Sequence, residues 1–436
     1  MSSEGSSLTT SFLGALQASL AVLLTVLWGV IATQFGLLSE SSAKDISRTC
    51  VRMFLPALLI TNVGSQLHLD TATRYVPLLL WAIMYNVLSI AFGVIFTKVF
   101  KMPKWVTPAI AFNNTTSLPL LLVQALSATG ILGQLLMSDT DSPSDAVDRA
   151  KSYFLVNAMV SNSLTFALGP RLLNGQEEDA PDELDRKNED EDEEEGSDPD
   201  GEGQGDGTDE QTSLLPDRLH NRARSPLKKT YNKGVDVYNR LPSWAQNTAH
   251  YSFQFLNAPL IGAVIGAIIG LTPPLHRLFF NDFNEGGYFN AWLTNSIKNL
   301  GDLFAALQVI VVGVKLSRAM RALKRGDESG SVSWKPVVFI TLVRYLLWPL
   351  VSIPIIWALV TKTTVLGDDP VLWFAMMLMP TGPPAMKLTA LADVNGSDEE
   401  EKMSIAKFLT LSYTISPLIC LSVVGSLKAA VAAGSK

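Results

Sequence analysis

Met379–Leu391 reads MPTGPPAMKLTAL, three prolines, a glycine and a lysine set inside an otherwise apolar run. Immediately upstream, Val371–Leu378 reads VLWFAMML, as apolar as any segment that crosses a bilayer. Pro380, Pro383 and Pro384 withdraw backbone donors and interrupt a helix. In hydrocarbon such a break survives only where protein or water satisfies the freed carbonyls. A charged side chain at mid-membrane costs about 2.5–3.5 kcal/mol or more. Lys387 and a broken helix in one place therefore point to a site rather than to a plain span.

Working outward, the chain joins two different materials. It has 436 residues, 47% of them hydrophobic, with a mean hydropathy of +0.23. Between Gln176 and Glu210 stand 19 acidic residues against two basic ones, Arg186 and Lys187, while the whole chain carries only −7. The remainder is basic and strongly apolar. Runs of about twenty apolar residues recur in it, the length a helix needs to cross roughly 30 Å of hydrocarbon. The fold class expected is an all-α polytopic membrane protein.

Ten spans are read, near 11–36, 49–66, 75–98, 104–128 and 152–172, then 252–272, 291–315, 335–360, 370–393 and 403–426. The chain thus divides into 1–172, a first five-helix repeat; 173–250, a polar loop; and 251–436, a second five-helix repeat. The acidic half of the loop cannot bury a core and reads as disordered. The N-terminus, MSSEGSSLTTSF, lacks the basic region of a cleavable signal, so the first apolar run reads as a resident span. Cys50 and Cys420 are too few and too distant for a disulfide framework, and the four histidines show no metal-ligand spacing. No metal or cofactor is expected, and nucleic acid is not among the expected partners.

Charge sets the orientation. Lys315, Arg318, Arg321, Lys324, Arg325 and Lys335 follow the seventh span, and Lys98, Lys101 and Lys104 follow the third. The opposite connections, MSDTDSPSDAVD, FNDFNEGG and VLGDDP, are acidic. Positive charge marks the cytosolic side, which places the long loop there and both termini on the other face.

Five spans, a loop and five spans imply halves inverted in the membrane. The fourth span carries AFNNTTSLPLLL (Ala111–Leu122), and its counterpart, the ninth, carries MPTGPPAMKL. Interrupted segments at matching positions of two inverted halves are the sequence mark of a transporter's binding site. The N-terminal end of each half-helix carries about half a positive charge, so two breaks meeting near the midplane favour an anion. Lys387 adds a full charge. Asn113, Asn114, Thr115, Thr116 and Ser117 offer donors and acceptors to a carboxylate or to the freed backbone.

These stretches resemble the auxin efflux carrier superfamily, specifically its PIN-LIKES branch and the fungal relatives of that branch. The resemblance lies in PPAMKLTALADVNGSDEEEKMSIAKFLTLSY (Pro383–Tyr413), NAPLIGAVIGAIIGLTPPL (Asn257–Leu275), LGDLFAALQVIVVGVKL (Leu300–Leu316), VRYLLWPLVSIP (Val343–Pro354) and NNTTSLPLLL (Asn113–Leu122). It implies ten spans as a 5+5 inverted repeat, with spans four and nine broken and crossed. It also implies a moving bundle of spans three to five and eight to ten against a scaffold of spans one, two, six and seven. By position, Asn114 and Pro119 fall at the crossover of span four, and Pro383 and Pro384 at that of span nine. Members carry auxin-like aromatic carboxylates, and PIN-LIKES proteins sit in the endoplasmic reticulum; the vacuolar and plasma membranes stay open for this chain. Lys387 stands where that branch tends to have Asn, so the substrate and the coupling ion need not follow the plant pattern.

Further polar candidates stand within the spans. Asp302 and Lys298 lie one helical turn apart, as a site or as a mutually neutralising pair. Arg344, near the middle of span eight, reads as tying helix ends together more than as touching ligand. Gln124, Asn157, Asn162, Gln308 and Tyr413 are cavity-lining candidates, each equally readable as helix–helix glue. In the loop, EQTSLLP (Glu210, with Leu214 and Leu215) fits an acidic-dileucine pattern read by sorting adaptors, and Ser225 in RARSP is a phosphorylation candidate. A sorting adaptor, a kinase and a second copy of the chain are the candidate protein partners, beside the lipid bilayer and a small organic carboxylate.

The leading expectation is a secondary carrier of small organic, aromatic carboxylates. No GxxxxGK[ST] loop occurs, so gradients rather than ATP supply the energy. A transport-inactive regulator acting through the acidic loop is the alternative. An intramembrane aspartyl protease is the third reading, from LGD at Leu300–Asp302 and LPAL at Leu55–Leu58, but two-carboxylate chemistry needs a second aspartate inside a span.

Overall fold

The structure is a computed structural model that describes residues 2–69, 71–137, 141–174, 258–325, 334–394 and 399–434. Among these residues it is helical, with no strand and one isolated backbone bridge. The first half contains α1 (Ser2–Gln34), α2 (Glu40–Thr49), α3 (Leu55–Gln66), α4 (Ala72–Val99), α5 (Val106–Ala111), α6 (Ser117–Ala128) and α7 (Pro143–Asn174). The second contains α8 (Ala258–Leu271), α9 (Pro273–Phe280), α10 (Asn295–Arg325), α11 (Trp334–Leu342), α12 (Trp348–Lys362), α13 (Pro370–Leu378), α14 (Lys387–Val394), α15 (Glu399–Thr414) and α16 (Ile419–Gly434). Wider π-turns join α2 to α3 and α11 to α12, and one precedes α10, so each of these runs on without a gap.

Among the described residues five helices are long and apolar enough to cross a membrane, and a sixth span arises if α8 and α9 count as one. That pair bends by 103° where Thr272 turns extended ahead of Pro273 and Pro274. The expected fourth and ninth spans are each two short helices around a gap, α5–α6 and α13–α14. Leu24 and Trp28 of α1, Leu80 and Val87 of α4 and Leu350 of α12 point outward and stay exposed. Such an apolar exterior is what a bilayer solvent selects.

Two groups of helices pack by different means. In the first, α1 lies on α10 and α3 on α8. Gly29 and Gly313 meet at the α1–α10 crossing: a Cβ on Gly29 would sit 2.1 Å from the Ile310 carbonyl, and one on Gly313 would sit 2.0 Å from that of Val26. Gly262, Gly266 and Gly270, one turn apart along α8, press in the same way onto the backbone of α3. Membrane helices gain little from hydrophobic burial against each other, so close backbone approach and dispersion hold such contacts.

The second group, α4, α7, α12, α13 and α16, is fastened by buried polar bonds as well as by packing. Asp369, with 0% exposure, caps α13 by accepting the Val371 N–H at 3.0 Å. It also accepts the Tyr153 hydroxyl at 2.6 Å and pairs with Arg149 at 3.3 Å and Arg74 at 3.7 Å. Arg149 in turn forks onto Asp141 at 2.8 and 2.6 Å, and its guanidinium holds the Asp141 carboxyl below the usual carboxylate range. The start of α4, the start of α7 and the start of α13 are thereby tied at one end of the group.

Candidate functional site

The two broken helices meet. Phe112 turns extended at the end of α5, and Asn113 pairs with Pro384 in an antiparallel backbone bridge. The Asn114 N–H donates to the Pro383 carbonyl at 2.9 Å, and the Ala385 N–H donates to the Phe112 carbonyl at 3.0 Å. Each break thus supplies the partner that the other lost. The sequence reading left these backbone groups open to a ligand; the structure spends them on the crossing itself.

The carbonyls released at the end of α13 are all taken. Trp81 Nε1 donates to Met376 O at 2.8 Å, and Ser352 Oγ to Met377 O at 2.6 Å. Leu378 O accepts the Thr381 N–H at 3.0 Å and its hydroxyl at 2.7 Å. Asn113 Nδ2 donates to Met379 O and to Thr381 O, both at 2.9 Å, and Arg344 Nη1 to Pro380 O at 3.3 Å. Six successive carbonyls, Met376 to Thr381, therefore have donors in a buried place, which is the condition for a broken helix in hydrocarbon. Gly382 makes the turn at φ +112°, a conformation that side chains rarely adopt.

A cavity opens beside the crossing. Asn113, Asn114, Thr115, Thr116 and Ser117 from the first break, and Ala385, Met386 and Lys387 from the second, form one wall together with Asn162 and Thr165 of α7. The opposite wall is Ser47, Val51 and Leu55 with Phe304, Gln308, Val312 and Lys315 of α10. Two lysines line it and, among the described residues, no carboxylate does. Lys387 Nζ donates to Asn162 Oδ1 at 2.5 Å. The volume is about 50 Å³, room for a few waters, where a pocket holding a drug-sized ligand measures roughly 300 Å³ or more. Admitting an organic anion requires the two walls to part.

Several expected residues fall elsewhere. Pro119 is not at the break, which spans 112–116; it sits in the first turn of α6, where a helix has no use for its N–H. Gln124 is exposed on the far side of α6 and does not line the cavity. Asp302 and Lys298 are both exposed and form no ion pair with one another, so neither the pair nor a two-carboxylate centre is built there. Arg344, 0% exposed, holds the crossing from behind, as a tie to a helix end. Tyr413, 1% exposed, does not line the cavity but touches a residue that does: its hydroxyl accepts from Asn114 Nδ2 at 2.9 Å. Glu210, Leu214, Leu215 and Ser225 lie outside the described residues. The sequence reading missed Lys315 and Thr165 as wall residues and the whole Asp369 cluster. The one local signal for the cluster was Asp369 directly ahead of Pro370, a helix-start pattern.

A family described as membrane transport protein matches residues 15–423. An uncharacterized transporter of Schizosaccharomyces pombe is 25% identical over 92% of this chain and 91% of its own length. An uncharacterized transporter of Saccharomyces cerevisiae is 21% identical over 92% of this chain and 93% of its own. The Arabidopsis thaliana protein PIN-LIKES 7 is 27% identical over 40% of this chain and 42% of its own. With a match that runs through both broken helices and nearly end to end, the chain belongs to the membrane transport protein family, that of the auxin efflux carriers.

Proposed function

We propose that this protein is a secondary carrier that moves small organic anions, aromatic carboxylates among them, by alternating access around the crossing of α5–α6 with α13–α14. The observation that carries this reading is the Asn113–Pro384 bridge. It brings both interruptions to one point beside a cavity lined by lysines, amides and hydroxyls. Membership of a transport family and two full-length relatives described as transporters support it.

In this reading the ten helical stretches are ten spans in two inverted halves. The group fastened around Asp369 is the moving body, and the glycine-packed group is the scaffold. The cavity lies between them, so its narrowness belongs to one stage of the cycle. The basic connections put the long loop in the cytosol, and the likeness to PIN-LIKES proteins favours an endoplasmic reticulum membrane.

The test is uptake into proteoliposomes made from the purified full-length chain, with radiolabelled phenylacetate and benzoate as probes. Uptake above that of empty liposomes, lost in Lys387→Ala while the variant elutes as a folded species, supports the carrier. A well-folded wild type that moves neither probe favours the transport-inactive regulator instead.

A further inference from the structure

A second cavity lies where the end of α4, the start of α5 and the end of α7 come together, and Lys98, Lys101, Lys104 and Arg171 line it. Its volume is about 350 Å³, against about 50 Å³ at the crossing. Pockets that hold ligands run from roughly 300 Å³ upward, so this one has room for more than water. Among the described residues no carboxylate lines it. Val94, Met102 and Leu172 line it too, so four cations and an apolar surface share one cavity.

The way α4 ends puts one of these charges where a side chain is strained. The Met102 N–H reaches back to Thr97 O at 3.0 Å and the Lys101 N–H to Lys98 O at 3.4 Å, the paired bonds that close a helix through a left-handed residue. Lys101 is that residue, at φ +48°, and among the described residues it is the one non-glycine with a positive φ. The other such turns, at Gly36, Gly130, Gly286, Gly367 and Gly382, use the residue that has no Cβ to clash. A lysine held in a strained turn of a cavity wall points to a use for its charge.

Four cations repel a metal ion and attract an anion. The surroundings indicate where that anion comes from. Val99 and Phe100, beside Lys98 and Lys101 in the chain, are 68% and 56% exposed, an apolar surface of the kind that faces lipid. Basic pockets between membrane helices are places where lipid phosphates bind. A phosphodiester brings one negative charge to four cations, whereas a phosphomonoester brings about −1.5 to −2 near neutral pH. We propose that this cavity binds an anionic phospholipid whose headgroup carries a phosphomonoester. The phosphate lies among Lys98, Lys101, Lys104 and Arg171, and the glycerol and upper acyl chain lie against Val94, Met102 and Leu172. This lipid site shares no residue with the cavity at the crossing, and it stands whatever the protein carries.

The test uses the purified full-length protein in detergent and reads binding as thermal stabilisation by dioctanoyl lipids. Phosphatidylinositol 4-phosphate and phosphatidate are set against phosphatidylserine and phosphatidylcholine. The two phosphomonoester lipids are expected to bind about tenfold or more tightly than the other two. Phosphatidylinositol 4-phosphate should exceed its free headgroup, inositol 1,4-bisphosphate, by a similar factor. Lys101→Gly separates the site from the fold. It should weaken the phosphomonoester lipids about fivefold or more, while the midpoint without lipid stays level or rises because glycine relieves the turn. Lys362→Gln, which removes an exposed charge outside this cavity, should leave lipid affinity unchanged. Equal binding of phosphatidylserine and the phosphomonoester lipids overturns the proposal, and so does equal binding of the free headgroup and the whole lipid. Wild-type lipid affinity in Lys101→Gly, an equal loss in Lys362→Gln, or no stabilisation by any lipid overturns it as well.

Discussion

Asn114 and Pro383, from the two halves of the chain, are joined backbone to backbone, N–H to carbonyl, at 2.9 Å. Proline is the useful residue on the accepting side: it has no N–H of its own to satisfy, yet its carbonyl accepts fully. Pro383 and Pro384 break one helix, and the same residues present carbonyl and backbone to the other break. The site is therefore a mutual repair of two broken helices, with the cavity at its edge.

Lys387 is the most direct test of the anion reading. Lys387→Ala should abolish uptake of phenylacetate while expression and gel-filtration behaviour stay as in the wild type. Normal uptake by the Ala variant would remove the charge role assigned to it.

Asn113 holds the crossing by two bonds, so Asn113→Ala should cost stability before it costs specificity. It strands the Met379 and Thr381 carbonyls, at about 1–3 kcal/mol for each buried unsatisfied group. Thermal unfolding in detergent reads the loss. An unchanged midpoint would mean that water replaces the amide there.

Pro119 and Gly382 should behave oppositely. Pro119→Ala is expected to leave transport and stability near those of the wild type, because the first turn of α6 does not need that N–H or its absence. Gly382→Ala forces a side chain to φ +112° and should lower the yield of folded protein and the rate of uptake together. A transport defect confined to Pro119→Ala would return the break to that proline.

The glycine contact between α1 and α10 predicts a steep size dependence. Gly29→Val places atoms on the Ile310 carbonyl and should destabilise by about 1–3 kcal/mol or more, as overpacking does. Gly133, where an added Cβ meets nothing within 4 Å, is the control, and Gly133→Ala should be near neutral. Equal midpoints for the two variants would show that the helices part without cost.

The Asp141–Arg149 fork carries a pH signature. A carboxyl whose pKa is depressed on folding adds stability that is fully present above its unfolded value, about 3.9. That stability is lost as pH falls through the lower folded value. The wild type should therefore exceed Asp141→Asn in thermal stability at pH 6, and the gap should close below about pH 4. A gap independent of pH would mean that the fork contributes geometry rather than charge.

What the sequence by itself determined are the properties that neighbouring residues decide among themselves. The length of apolar runs sets the membrane class, clustered proline and glycine interrupt α13–α14, and Lys387 stands out because charge is costly in an apolar run. The four polar residues after Asn113 marked the second interruption for the same reason. Tertiary structure alone decided which way a polar side chain faces within a helix that is apolar on all sides, where periodicity has no signal to give. That is why Gln124 and Asp302 turned outward, and why Gln308 and Asn162 turned into the cavity. It also decided who satisfies whom: Asn113 with the Met379 and Thr381 carbonyls, Arg344 with Pro380, Asp369 with Arg149 and Arg74. Those partners are far apart in the chain, and a hydrogen bond is set by distance in space, which the order of residues does not contain.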